Sequence, residues 1–178
     1  MNKNRALLLD RDGVVNVDHG YVGSAWTFDF LPGLFPFLRA AQDKGYRLAV
    51  LTNQSGVARG FYTEKDYQSV TAHMLSVLQS EAITLDLTLA CFEHPEGTIP
   101  AYAFESFWWK PNPGMVLEAI RRLDLDPVRS AFLGDNLRDM QAAQGGKIGR
   151  CLWLTQKEVA VPAGVDCVKT YDAALRFL

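Results

Sequence analysis

The sequence predicts an α/β domain in which a parallel sheet carries helices on both faces. Short apolar runs alternate with stretches of helical periodicity, and several of the runs end at a polar, turn-like cluster. Such alternation is typical of βαβ units and of a three-layer, Rossmann-like arrangement. The chain has 178 residues, which is enough to bury a substantial core. We therefore expect residues 1–178 to form a single domain.

The predicted strands are short and apolar. The first covers Ala6 to Leu9, and the second includes Leu48 to Leu51. Three more strands are expected at 85–92, 131–133 and 151–154. Continuous apolar runs of this length suit strands that are buried on both faces of a parallel sheet.

Helical periodicity occupies the segments between these strands. Apolar residues recur at helical spacing from Leu34 to Ala41 and from Val70 to Leu78. Thr63 precedes a charged stretch and is a suitable N-cap for the second helix. Pro113 fits the first turn of a third helix, and a short fourth helix is expected over 139–143.

Composition and charge exclude several classes of function. The net charge of −2 implies no strong attraction to nucleic acid or to an anionic membrane. The three cysteines, Cys91, Cys151 and Cys167, are widely spaced and indicate no disulfide framework, which fits a reducing cytoplasm. We see neither a signal peptide nor an apolar run long enough to span a bilayer. We expect a cytoplasmic monomer whose partner is a small molecule.

Acidic and polar side chains follow three of the predicted strands, at the point where each strand ends. Asp10 and Asp12 follow the first strand, Thr52 the second and Asp135 the fourth. Ligands of open parallel sheets bind beyond the carboxyl ends of the strands, so these side chains should converge in one crevice. Two carboxylates this close need a cation, a shared proton or an incoming electrophile. Taken alone, Asp-x-Asp-Gly could also be a simple turn.

The residue types in this crevice suit phosphoryl transfer. Asp10, Asp12 and Asp135 supply the hard oxygen ligands that Mg²⁺ prefers. Thr52 can donate a hydrogen bond to a phosphoryl group, and Lys110 adds a positive charge. One carboxylate can form an aspartyl-phosphate intermediate, while a second carboxylic acid protonates the leaving oxygen and later activates water.

The order of these residues resembles the haloacid dehalogenase superfamily of phosphotransferases. The shared motifs are Asp10-x-Asp12-Gly13, Thr52-Asn53, Lys110 and Gly134-Asp135-x-x-x-Asp139. The resemblance implies that Asp10 is the nucleophile and Asp12 the general acid and base. It also implies that Thr52 and Lys110 stabilise the phosphoryl group.

The same resemblance implies a magnesium site without a large cap domain over it. Asp10 and Asp135 would bind Mg²⁺ through their side chains and Asp12 through its backbone carbonyl. Asp139 would support these ligands from behind. Any lid would have to come from the loops at 16–30 and 92–109.

The chain also contains Asp18-His19-Gly20-Tyr21, Thr52-Asn53-Gln54-Ser55-Gly56 and Lys110-Pro111-x-Pro113-Gly114. These motifs resemble the heptose bisphosphate phosphatases of this superfamily, of which the histidinol-phosphate phosphatases are close relatives. The implied substrate is D-glycero-D-manno-heptose 1,7-bisphosphate or a related heptose phosphate. The alternatives are histidinol phosphate or another small metabolite, a polynucleotide 3′-phosphate, and a phosphate-binding module without catalysis. The residues expected at the substrate are Asp18, His19, Gly20, Tyr21, Asn53, Gln54, Ser55, Arg59, Trp109 and Asn136.

One departure from these relatives concerns a structural zinc ion, which they often hold with three cysteines and a histidine. Here Cys91 keeps the first position, Glu93 stands where the histidine is expected, and both later cysteines are missing. Because closed structural zinc sites have four ligands rich in thiolate, we predict no structural zinc. The aromatic loop at 102–109 would then either pack structurally or line the substrate pocket.

Two other departures bear on the substrate. Trp109 stands where such relatives commonly have arginine, and Asn136 where they commonly have lysine. Those cations would have faced phosphate, and neither replacement supplies their charge. We therefore hypothesise that the pocket prefers a less highly charged substrate or a different sugar phosphate.

Overall fold

The computed structural model describes residues 3–178, and its central element is a parallel sheet. The strands are β1 (Ala6–Leu9), β2 (Arg47–Asn53), β3 (Leu87–Cys91), β4 (Ala131–Gly134), β5 (Arg150–Leu154) and β6 (Val165–Val168). Their order across the sheet is β3-β2-β1-β4-β5-β6, and every neighbouring pair is parallel. The predicted fold class is confirmed.

One α-helix follows each strand from β1 to β4 and another follows β6, whereas β5 leads to β6 without a helix, and the helices cover both faces of the sheet. They are α1 (Leu34–Asp43), α2 (Glu64–Ser80), α3 (Gly114–Leu123), α4 (Leu137–Gly145) and α5 (Tyr171–Leu175). Thr63 closes a capping box with Asp66 at the start of α2, as its sequence position predicts. Helix α4 begins two residues earlier than expected, because Asn136 is its N-cap. Pro113 is the N-cap of α3 and therefore precedes the first turn.

Two apolar cores lie on opposite faces of the sheet. Side chains alternate between the faces along a strand, so Leu7 and Leu9 of β1 enter one core while Ala6 and Leu8 enter the other. The first core also holds the buried apolar residues of α1, α2 and α5, and the second those of α3 and α4. This is the three-layer arrangement predicted from the sequence.

The last strand and helix were not predicted from the sequence. In β6 two of the four residues are exposed, so its pattern lacks the continuous apolar run of the central strands. Helix α5 has only five residues, too few for a periodic signal. Strand β6 lies at the edge of the sheet away from β3, whereas α5 packs on α1, with the rings of Tyr171 and Phe37 stacked at 5.1 Å between their centres.

The strand order brings the predicted site residues to one edge of the sheet. β1 lies between β2 and β4, so the carboxyl ends of these three strands are adjacent. Asp10 continues the ladder, since its backbone N–H donates to the Leu133 carbonyl at 3.1 Å. The loops between β1 and α1 and between β3 and α3 contain only short 3₁₀ turns, at Ala25–Thr27 and Pro100–Tyr102. Within residues 3–178, we find no helix with the length and hydropathy needed to cross a bilayer.

Candidate active site

Lys110 is the centre of a buried charged cluster at the carboxyl edge of the sheet. Its Nζ atom lies 2.8 Å from Oδ1 of Asp10 and 2.8 Å from Oδ1 of Asp139. The same ammonium donates to the backbone carbonyl of Leu51 at 2.8 Å. The side chain of Lys110 is only 1% exposed, and its three hydrogens match these three acceptors. The position of this positive charge is therefore fixed from three directions.

Asn53 fixes the backbone of Lys110. The Lys110 N–H donates to Oδ1 of Asn53 at 3.0 Å, and Nδ2 of Asn53 donates to the Lys110 carbonyl at 3.0 Å. The end of β2 therefore holds the loop that carries Lys110. Asn53, predicted to contact substrate, also has this role in positioning the lysine.

An acidic cluster surrounds the ammonium. Asp10, Asp135 and Asp139 each place one carboxylate oxygen within 4.8 Å of the others. The carboxylate of Asp139 is occupied within the protein, because Oδ1 faces Lys110 and Oδ2 accepts the Asn136 N–H at 3.1 Å. Asp10 and Asp135 are thus the two side chains of the cluster that remain for a cation.

Burial changes the acidity of both carboxyl groups. It raises the pKa of Asp10 to about 7, with a further contribution from the charge of Asp139 and an opposing one from Lys110. Burial also raises the pKa of Asp135 to about 6, again with help from Asp139. Two carboxylates with raised pKa values, side by side, indicate a site whose excess negative charge is relieved by a cation.

Gly13 permits the close approach of Asp135 to the chain. A Cβ atom at this position would lie 2.1 Å from Oδ2 of Asp135, a separation that no real side chain has. The backbone of Gly13 also has a φ of +83°, in the left-handed region that favours glycine. The glycine of the Asp-x-Asp-Gly motif thus lets the end of β1 and the end of β4 meet.

Asp12 is held by donors from three residues. Its Oδ1 accepts from Arg11 Nη2 at 3.0 Å and from Asn16 Nδ2 at 3.0 Å, and its Oδ2 accepts from Gln54 Nε2 at 2.8 Å. Its carboxylate is not part of the acidic cluster around Lys110 found within residues 3–178. Asp10 and Asp12 therefore lie in different environments although they are two residues apart.

Arg11 is a site residue that the sequence analysis missed. Its side chain is 1% exposed, and its guanidinium lies 5.8 Å from the ring centres of both Phe28 and Tyr67. It pairs with Asp12 and donates to the Val22 carbonyl at 3.1 Å. Arg11 lies between two motif aspartates and directly follows a buried strand. That position could have indicated a buried arginine, which needs a charged partner.

Gln54 connects the two predicted catalytic residues that do not touch Lys110. Its Nε2 donates to Asp12 Oδ2 and to Thr52 Oγ1, each at 2.8 Å. Its Oε1 accepts from the hydroxyl of Tyr62, which fixes the orientation of the amide. Tyr62 was not predicted from the sequence.

A cavity of about 340 Å³ opens above these groups. Its walls include Asp10, Asp12 and Asp135, whereas Thr52 and Lys110 lie buried behind them. Every predicted substrate residue except one lines it: Asp18, Gly20, Tyr21, Asn53, Gln54, Ser55, Arg59, Trp109 and Asn136. The exception is His19, whose Nε2 lies 2.8 Å from Oδ2 of Asp29 at the surface. Tyr62, His94 and Arg138 also line the cavity and were missed.

The aromatic loop divides between packing and the cavity. Trp109 lines the cavity, with its ring edge-on to His94 at 4.7 Å between ring centres. Trp108 packs against the second core, whereas Phe104 and Phe107 are exposed. Both interpretations of the loop therefore hold, for different residues.

Cys91 makes a hydrogen bond within the protein. The residue is buried, and its thiol donates to Oε2 of Glu93 at 3.1 Å. Burial and this hydrogen bond raise the pKa of the thiol to about 12. A thiol that stays protonated is a poor metal ligand.

Comparison with known proteins decides the family. Residues 2–146 match the haloacid dehalogenase-like hydrolases. The chain belongs to this family. Among its relatives is a D-glycero-alpha-D-manno-heptose-1,7-bisphosphate 7-phosphatase of Burkholderia mallei, 42% identical over 158 residues, which cover 89% of this chain and 84% of the relative. The D-glycero-beta-D-manno-heptose-1,7-bisphosphate 7-phosphatase of Escherichia coli K12 is 40% identical over 81% of this chain and 75% of its own.

A solved phosphatase structure also has the same fold as this hydrolase. The D,D-heptose 1,7-bisphosphate phosphatase of B. bronchiseptica, complexed with magnesium and phosphate, superposes with a TM-score of 0.84. The match covers 97% of both chains at 26% identity. Together with its relatives, this structure identifies the chain as a phosphatase of the haloacid dehalogenase-like family.

Proposed function

We propose that this phosphatase hydrolyses D-glycero-D-manno-heptose 1,7-bisphosphate or a related heptose phosphate, with Asp10 as the nucleophile. The observation that carries the proposal is the contact of Lys110 with Asp10 at the floor of a cavity lined by polar side chains. The substrate class rests on relatives that are named as heptose-1,7-bisphosphate 7-phosphatases and are 40–42% identical to this chain over the aligned residues.

The residues at the floor of the cavity fit Mg²⁺. Asp10 and Asp135 supply two carboxylates whose pKa values burial raises in spite of the nearby charge of Lys110. We assign the metal to these two side chains and to the backbone carbonyl of Asp12, with Asp139 as the support that orients Lys110. When bound, the ion neutralises the acidic pair and the charge on the phosphoryl oxygens.

Covalent catalysis at Asp10 needs its carboxylate to be ionised and correctly aimed. Lys110 opposes the effect of burial and stabilises the anion, while the Arg11 N–H donates to Oδ1 of Asp10 at 2.8 Å. A carboxylate oxygen of Asp10 attacks phosphorus, a new O–P bond forms, and the bond from phosphorus to the sugar oxygen breaks. Thr52, whose oxygen already accepts from Gln54, has its hydroxyl hydrogen available for a phosphoryl oxygen.

Asp12 is suited to move the proton. It lines the cavity beside Asp10, and Arg11, Asn16 and Gln54 hold its carboxyl group in one orientation. In the first step it donates a proton to the departing sugar oxygen. In the second step it accepts a proton from the water that hydrolyses the aspartyl phosphate, which returns both carboxyl groups to their starting states.

A phosphate-release assay tests the proposal. The panel holds heptose 1,7-bisphosphate, heptose 7-phosphate, histidinol phosphate, a 3′-phosphorylated oligonucleotide and p-nitrophenyl phosphate, each with Mg²⁺ and with chelator. We expect the heptose bisphosphate to have the highest kcat/KM and Asp10→Asn to abolish turnover of every substrate. Preference for histidinol phosphate would replace the substrate assignment, and turnover by Asp10→Asn would refute the covalent mechanism. Binding without turnover would leave only a phosphate-binding module.

A further inference from the structure

One cation that lines the cavity, Arg138, is exposed and lies close enough to Asp135 for its charge to lower the pKa of that carboxyl group. Arg138 lies in the first turn of α4 and lines the cavity together with Asp135 and Asn136. Its backbone N–H donates to Oδ1 of Asn136 at 3.3 Å. Throughout the described range 3–178, its guanidinium makes neither a hydrogen bond nor an ion pair.

The other cations around the cavity are already paired. Lys110 is held by Asp10 and Asp139. Arg11 is buried against Asp12. The guanidinium of Arg59 lies 3.0 Å from Oε2 of Glu96, which offsets its charge. Among the cations around the cavity, Arg138 is thus the one that makes no ion pair within residues 3–178.

Two neutral side chains line the cavity with Arg138 and Asp135. Trp109 and Asn136, the two positions where the sequence lacks an expected cation, both line the cavity. The side chain of Asn136 is partly occupied, because it caps α4. The positive charge on this side of the cavity comes instead from Arg138, two residues further along the chain.

We propose that Arg138 binds the second anionic group of the substrate, the phosphate that is not hydrolysed. The inference rests on the proposed function, because the hydrolysed phosphate is assigned to Asp10 and Thr52. A guanidinium forms two parallel hydrogen bonds to a phosphate and keeps its charge at every working pH. The cavity, at about 340 Å³, is within the size range of sites for small ligands. Arg138 thereby makes the enzyme select sugar bisphosphates over monophosphates, which is the opposite of the preference expected from the missing cations at positions 109 and 136.

The test compares Arg138→Gln with wild type on a matched pair, heptose 1,7-bisphosphate and heptose 7-phosphate. Loss of a charge-assisted bond should lower kcat/KM for the bisphosphate by about tenfold or more, mainly through KM. The value for the monophosphate should stay within about twofold, since that substrate has no second phosphate to lose contact with. Arg138→Lys should retain part of the preference, because it keeps the charge but not the fork.

Arg176→Gln is the matched control, since Arg176 is an exposed arginine outside the cavity. Equal losses on both substrates, or no loss on either, would overturn the role of Arg138. A wild-type enzyme that does not prefer the bisphosphate would overturn it as well. In each of these cases, the phosphatase mechanism is still supported if wild type hydrolyses p-nitrophenyl phosphate and if this activity requires both Mg²⁺ and Asp10. An unchanged thermal midpoint for Arg138→Gln separates loss of contact from loss of fold.

Discussion

The Nζ atom of Lys110 lies 2.8 Å from Oδ1 of Asp10, and both side chains are largely buried. This contact sets the charge of the proposed nucleophile, because the ammonium opposes the burial that would otherwise favour its protonated form. We expect Lys110→Met to lower Mg²⁺-dependent turnover of p-nitrophenyl phosphate by about 100-fold or more, as for other preorganised donors.

Two further variants test whether activity requires an ammonium group at position 110. Lys110→Arg should not restore activity, because the larger, planar guanidinium does not fit a site shaped around one ammonium. Lys65→Met, at an exposed position in α2, should leave turnover unchanged. Turnover of Lys110→Met within about threefold of wild type would mean that the lysine is merely structural.

The raised pKa values of Asp10 and Asp135 predict how stability depends on pH. Burial raises these values from 3.8 to about 7 and about 6. A carboxyl group with a raised pKa binds more protons in the folded state than in the unfolded one, so its stabilising contribution is lost as pH rises through the folded pKa. In chelator, the site should therefore favour folding less at about pH 8 than at about pH 5.5.

Added Mg²⁺ should offset this loss, because the ion binds the ionised pair. The measurement is the thermal midpoint with and without Mg²⁺ at both pH values, and the stabilisation by Mg²⁺ should be larger at the higher pH. Asp10→Asn, which cannot ionise, should show a smaller dependence on pH. Equal stabilisation by Mg²⁺ at both pH values would show that the two carboxyl groups are already ionised at the lower one.

Gly13 offers a test of the close approach between β1 and β4. A Cβ atom there would lie 2.1 Å from Oδ2 of Asp135 at a φ of +83°. Gly13→Ala should displace the Asp135 carboxylate and weaken Mg²⁺ binding, measured by calorimetry, by about tenfold or more. Gly45 has the same φ of +83°, and its Cβ would meet only Arg5, at 4.0 Å.

Gly45→Ala is therefore a control for backbone strain alone. It should cost about 1 kcal/mol of stability and leave Mg²⁺ affinity unchanged. Equal effects of the two substitutions on Mg²⁺ affinity would mean that backbone strain, rather than contact with Asp135, explains the need for glycine at position 13.

The sequence predicted those site residues that lie at the carboxyl ends of strands. Apolar runs locate the ends of β1, β2 and β4, and parallel strands place those ends at one edge, so Asp10, Thr52 and Asp135 could be brought together without coordinates. The burial of Asp10 and Thr52, and hence the raised pKa of Asp10, follows from the same apolar runs.

The missed residues depend on how loops and helix starts orient their side chains. Arg138 points to the cavity because α4 begins at Leu137, two residues before the predicted start. That start was visible in principle, since Asn136 and Asp139 have the spacing of a capping box. Tyr62 reaches Gln54 because its ring packs on Gly56, where a Cβ atom would lie 2.2 Å from it. A contact made by folding a loop back on itself has no periodic signal in the sequence.

The hydroxyl of Tyr62 predicts a positioning effect on Asp12. By donating to Oε1 of Gln54, it directs Nε2 of the amide to Asp12 and Thr52. We expect Tyr62→Phe to keep the fold and lower kcat by about three- to tenfold, because the amide loses its fixed orientation. The pH profile of kcat should shift as well, since the donor to Asp12 is no longer held.

Tyr46→Phe is the control for this substitution. Tyr46 is a buried tyrosine immediately before β2, at the opposite edge of the sheet. It should alter neither kcat nor its pH profile. An altered kcat for Tyr62→Phe with an unshifted pH profile would indicate loss of packing around Gly56 rather than an effect on Asp12.

Cys91 predicts that the loop after β3 holds no structural zinc. Its buried thiol donates to Glu93 and has a pKa raised to about 12, so the thiolate that zinc requires is disfavoured. We expect chelator-washed protein to contain zinc well below one ion per chain by elemental analysis. Cys91→Val should keep Mg²⁺-dependent activity, because the side chain acts as a small buried group. Stoichiometric zinc that is lost in Cys91→Val would show instead that Cys91 binds the metal and that folding around the ion lowers the pKa of its thiol.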